Sequence, residues 1–139
     1  MIKYRNIPLV KLREQLFSLF AEKQDVKVFG HVPDESELPL ITFGAVIAKP
    51  MDTKQDVFWE CSATIDVWGD EDSEDVIAGT LDDISLILSV YGEKLDIGDD
   101  FKIQDCSISL IETFPEETTG YHGLMTVDFL IQKKGAYRL

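Results

Sequence analysis

Residues 57–68 read VFWECSATIDVW, and the alternation in this stretch decides the fold class. Trp59, Cys61, Ala63, Ile65 and Val67 fall on one side of an extended chain, and Glu60, Ser62, Thr64 and Asp66 fall on the other. A period of two marks a strand with one face in a core and the other toward solvent. Such strands belong to antiparallel sheets covered on one side. Phe58 and Trp68 depart from the pattern, being large aromatics on the polar side. Either a helix of this chain covers that side, or another chain does, since aromatics are enriched at protein contacts.

Upstream, Leu40–Ala48 is rich in β-branched and aromatic residues and reads as a second strand. The polar stretch 49–56 between the two strands reads as a long loop, and Asp34–Glu37 as a connector. Val26–Val32, closed by Pro33, is a short strand. Before it, Leu9, Leu12, Leu16, Leu19 and Phe20 recur at steps of three and four, which predicts an amphipathic helix from Pro8 to about Gln24.

Downstream, 69–72 is a turn into a second helix. Asp72 or Ser73 caps it, and Glu74 and Asp75 lie in the first turn, where the helix dipole favours acids. Its apolar stripe is Val76, Ile77, Leu81, Ile84, Leu88 and Tyr91, and Gly92 stops it. Gly79 inside it is expected to mark a close contact. Phe101–Glu112 and Tyr121–Lys133 are two further strands, joined by a hairpin loop over 113–120. The order is α-β-β-β-α-β-β. Each helix has one apolar side, so the expected fold is α+β: a mainly antiparallel five-stranded sheet with both helices on one face. The expectation is one domain over 1–139, with a short loose tail from about residue 135.

The chain has 26 acidic and 13 basic residues, a formal charge of −13. Tight binding to free nucleic acid is disfavoured, because that affinity comes from Lys and Arg on phosphates. The same charge suits a surface past which DNA slides. No apolar run approaches a membrane span of about 20 residues, and the mixed N-terminal sequence lacks a signal-peptide layout, so a cytoplasmic site of synthesis is expected.

Catalytic patterns are missing. There is no Gly-rich phosphate loop and no nucleophile elbow. His31 and His122, the two histidines, lie in strand-like runs without a base or nucleophile at a telling spacing. The acidic groups 70–75 and 96–100 lack the ligand order of a calcium loop and are better read as a helix start and solvated surface. Cys61 and Cys106 have no metal spacing and read as small buried hydrophobes. No enzyme, metal or cofactor is expected.

The runs Val28-Phe29-Gly30-His31-Val32-Pro33, Pro39-Leu40-Ile41-Thr42-Phe43-Gly44 and Ala63-Thr64-Ile65-Asp66-Val67-Trp68-Gly69, followed by a helix with Ile77-Ala78-Gly79 and Ile84, resemble the tail-completion proteins of long-tailed bacteriophages. The last strand, with Val127-Asp128-Phe129, agrees. The resemblance implies a structural virion-tail protein assembled in the host cytoplasm. It implies a ring, commonly a hexamer, at the head-proximal end of the tail tube, which stops tube growth and joins tail to head. Its partners would be the tail tube protein, a head-completion or neck protein and further copies of itself, with DNA passing through the lumen without tight binding.

Loop length and apolar tips nominate the contact residues: Lys49, Pro50, Met51, Asp52, Thr53, Lys54 and Phe58 on one side, and Phe114, Pro115, Glu116 and Glu117 on the other. Met51 and Phe114 are the expected anchors, and alanine at either is expected to spare the fold. Two other readings stay open: a neck, head-completion or minor tail protein, and a small acidic adaptor or immunity-type protein with a basic partner.

Overall fold

A computed structural model describes residues 7–31, 36–54, 56–116 and 120–134. The elements are α1 (Leu9–Lys23), β1 (Lys27–Phe29), β2 (Leu40–Pro50), β3 (Phe58–Gly69), α2 (Glu74–Tyr91), β4 (Phe101–Glu116) and β5 (Gly120–Lys133). This is the α-β-β-β-α-β-β order, and the five strands make one sheet in the order β1-β2-β3-β5-β4. Every pairing is antiparallel except β1 with β2.

The odd-numbered side of β3 is the core side. Trp59, Cys61, Ala63, Ile65 and Val67 are all buried, as are Met125, Val127, Phe129 and Ile131 opposite them on β5. Leu12, Leu16, Leu19 and Phe20 of α1 and Ile77, Leu81, Ile84, Ile87 and Leu88 of α2 close over them. Each such side chain contributes about 1.5–3 kcal/mol when taken out of water. Phe43 of β2 carries α1, stacking on Phe20 with ring centroids 6.0 Å apart. Both helices therefore lie on one face.

Local chemistry sets the helix ends. The Gln24 side-chain amide donates to the carbonyls of Phe20 (2.8 Å) and Val26 (2.6 Å), while its oxygen accepts the Val26 N–H (2.8 Å). One side chain thus ends α1 and turns the chain into β1. At α2 the Ser73 hydroxyl accepts the Asp70 N–H at 3.1 Å, tightening the turn before the helix.

Several expectations change. The first strand keeps only Lys27–Phe29, and Val32 and Pro33 lie outside the described residues. β2 runs on through Lys49 and Pro50, so the loop is shorter than 49–56. β4 runs on to Glu116, so Phe114, Pro115 and Glu116 are strand and not loop; a two-stranded ladder extends while its backbone groups find partners, and β5 supplies them up to Gly120. Val76, in the first turn of α2, is exposed, while Ile77, Leu81, Ile84 and Leu88 are buried as expected and Thr80 and Ile87 join them. Gly79 has open space around it. The close approach is at Gly123, where a Cβ would lie 2.6 Å from Ile77 Cγ2 and 3.0 Å from Leu81 Cδ1. That glycine lets α2 sit down on β5. Cys61 is buried, but Cys106 is half-exposed beside Gly92. The tail from about residue 135 and Glu117 lie outside the described residues.

Candidate functional site

With both helices on one side, the even-numbered face of β3 and β5 is left without a helix over it among the described residues. Phe58, Trp68, Leu124 and Leu130 share this face with Glu60, Ser62, Thr64, Asp66 and Asp128, and most of them are half-buried. Aromatic and charged groups here form two separate constellations, one at each end of the sheet.

The first sits at the turn between β2 and β3. Met51, Asp52, Thr53, Phe58 and Leu130 line a largely apolar hollow of about 450 Å³. The turn is tied down: the Met51 N–H donates to the Phe58 carbonyl at 2.8 Å, and the Thr53 N–H to that of Asp56 at 3.0 Å. The Thr53 hydroxyl accepts the Asp56 N–H at 3.0 Å. Met51 is 46% exposed at the rim, a flexible apolar side chain where a partner can reach it. Lys49 and Pro50 approach the turn as the last residues of β2, paired with Glu60 and Trp59, and Lys54 is exposed within it.

The second is built around His122. Trp68 is its cross-strand partner on β3, and Phe114 its partner on β4. Period two then places Asp66 and Glu116 as diagonal neighbours on the same face, within reach of both ring nitrogens. His122 Nε2 lies 2.7 Å from Asp66 Oδ1, and Nδ1 lies 2.8 Å from Glu116 Oε1. The imidazole stacks on Trp68 at 3.9 Å between centroids, with Phe114 tilted against it at 4.8 Å. The Trp68 indole N–H donates to Thr42 Oγ1 at 2.9 Å. A band of side chains thus crosses four strands, from β2 through β3 and β5 to β4.

Histidine beside carboxylates is also what a proton-transfer site offers. Here both ring nitrogens are engaged by carboxylates and His122 is buried, so neither nitrogen faces a space where a substrate could stand. The arrangement is that of a hydrogen-bonded staple between strands. Among the described residues no His, Cys, Asp and Glu side chains group as a metal site would require. The acids at 70–75 start α2, and the Asp96 carboxylate accepts the Gly98 N–H at 3.0 Å.

Of the nominated residues, the structure gathers Met51, Asp52, Thr53 and Phe58 around one hollow and places Phe114 and Glu116 around His122. Pro115 is exposed beside them on β4. The groups do not meet: Phe58 and Trp68 stand at opposite ends of β3, roughly 33 Å apart along the strand. The His122 cluster was missed by sequence reading, because Asp66, Glu116 and His122 come from three strands. The available signal was Trp68 on a polar face, which needed a partner.

The chain is thus a two-layer α+β subunit, a sheet with both helices on one face, whose aromatic and charged groups gather at the two ends of the helix-free side. The chain belongs to the family of Tail completion protein gp17, whose model matches residues 13–132. It is a structural phage tail protein and not an enzyme. Among solved structures, a chain of "Virion of native gene transfer agent (GTA) particle" is similar in fold, with a TM-score of 0.52 and 13% identity over 88% of this chain and 89% of that one. No curated protein matches the chain.

Proposed function

We propose that copies of this chain form a ring, six in number, at the head-proximal end of the tail tube, where the ring ends tube growth and joins tail to head. The observation that carries the reading is the separation of the two constellations to opposite ends of one sheet. A subunit between two partners needs two contact ends, and a rigid sheet holds them at a fixed distance. Family membership and the virion likeness in fold support the same reading.

In this reading 1–139 acts as one tail-completion domain. Met51, Asp52, Thr53, Lys54 and Phe58, with Lys49 and Pro50 behind them, touch one partner, and Phe114, Pro115, Glu116 and Glu117 touch the other. The partners are the tail tube protein and a neck or head-completion protein. DNA passes through the lumen without being gripped, which a charge of −13 favours. No helix among the described residues is long and apolar enough to cross a membrane, and assembly takes place in the host cytoplasm.

The test mixes the purified protein with tail tubes from the same genome under negative-stain electron microscopy. Caps at one tube end and uniform tube lengths are expected. Bare tubes of unchanged length overturn the proposal.

A further inference from the structure

Among the described residues, β4 is the outermost strand of the sheet and pairs along its length with β5 alone. The other edge is nearly as open. β1 pairs only with Leu40, Ile41 and Thr42 of β2, and among the described residues no strand covers 43–50 beyond it. Unpaired strand edges present rows of N–H and C=O groups ready for another chain.

The two edges fit each other. Three successive antiparallel pairings make β2 and β4 run in opposite directions. Copies set side by side by rotation about an axis along the strands therefore bring β2 of one against β4 of the next as one more antiparallel pair. Side chains agree as well. Ile47 lies opposite Ser62 and Leu110 opposite Thr126, so both project from the helix-free face, and they are 51% and 46% exposed. Joined edges would bring aliphatics to a shared face. Charge agrees too: 43–50 carries Lys49 and no acid, while β4 carries Asp105, Glu112 and Glu116 against Lys102. Pairing β4 with a second β4 sets acids against acids, whereas β2 with β4 sets a lysine against them.

We propose that β2 of one copy adds to β4 of the next, so that the sheet continues from subunit to subunit around the ring. The inference rests on the ring reading and names its joint. Such a contact uses two different surfaces and closes by rotation. Bulges between Phe43 and Val46 on β2, and at 103–105 and 108–110 on β4, break the flat edges that would otherwise pair indiscriminately.

The test places a photo-reactive benzoylphenylalanine at Ile47 of the full chain, caps tail tubes with it, irradiates and maps the cross-link by mass spectrometry. A covalent dimer joined between 43–50 and 101–116 is expected. The reciprocal variant at Leu110 should label 43–50. Capped tubes whose cross-links fall on α1, α2 or the tube protein overturn the joint and leave the ring. Failure of the unmodified protein to cap tubes overturns the ring and this joint with it.

Discussion

The His122 imidazole lies flat on the Trp68 indole, with ring centroids 3.9 Å apart and planes 20° from parallel. This contact joins β3 to β5 on the face the helices do not cover, and the carboxylates of Asp66 and Glu116 hold the ring in place from either side. Removing His122 leaves two carboxylates facing a hole. His122→Ala should cost about 2–4 kcal/mol, because a buried ring, its stacking and its two hydrogen bonds are lost together. Chemical denaturation checks this, and Asp66→Asn should cost less because it keeps a polar partner.

Two glycines should respond with opposite signs. Gly123→Ala drives a methyl into Ile77 and Leu81 and should destabilise by about 1–3 kcal/mol. Gly79→Ala fills open space on the exposed side of α2 and should stabilise by up to about 1 kcal/mol. Thermal melts of both variants separate the cases.

Met51 and Phe114 no longer behave alike. Met51 is exposed at the rim of the hollow, so Met51→Ala should change the unfolding free energy by less than about 0.5 kcal/mol while reducing tube capping. Phe114 rests against His122, so Phe114→Ala should lower stability as well as joining. Denaturation curves alongside capping counts test both. Normal capping by folded Met51→Ala would remove Met51 from the contact.

Burial pushes the Cys61 thiol up to about 12. Burial, with Glu93, Asp105 and Asp128 adding to it, pushes Cys106 up to about 11. Both groups keep their protons in the folded chain where the unfolded chain loses them, near 8.5. Stability is therefore full below that value and falls as pH rises through about 9 toward 11–12. Denaturant titrations at pH 8 and 10 should show the loss. The thiolate is the reactive form, so a thiol reagent at pH 8 should label the native protein slowly, Cys106 before the fully buried Cys61.

Most elements were legible in the sequence because their signals are local. The stripe of Leu12, Leu16, Leu19 and Phe20 and the alternation from Trp59 to Val67 each need only a neighbour's spacing to be read, and both sets are buried. The ends were less legible. Lys49 and Pro50, and Phe114 to Glu116, look like loop by composition, yet they lie in strands because a facing strand takes up their backbone groups.

The sequence by itself determined the α+β class, the order of elements and which side of each strand turns inward, since periods of 2 and 3.6 follow from the chain's own geometry. Only the tertiary structure decided that β5 inserts between β3 and β4. That one choice brings Asp66, Glu116 and His122 together and leaves β4 as an outer edge among the described residues. Strand pairing joins residues tens of positions apart, and its outcome rests on how the whole core closes, which no local spacing records.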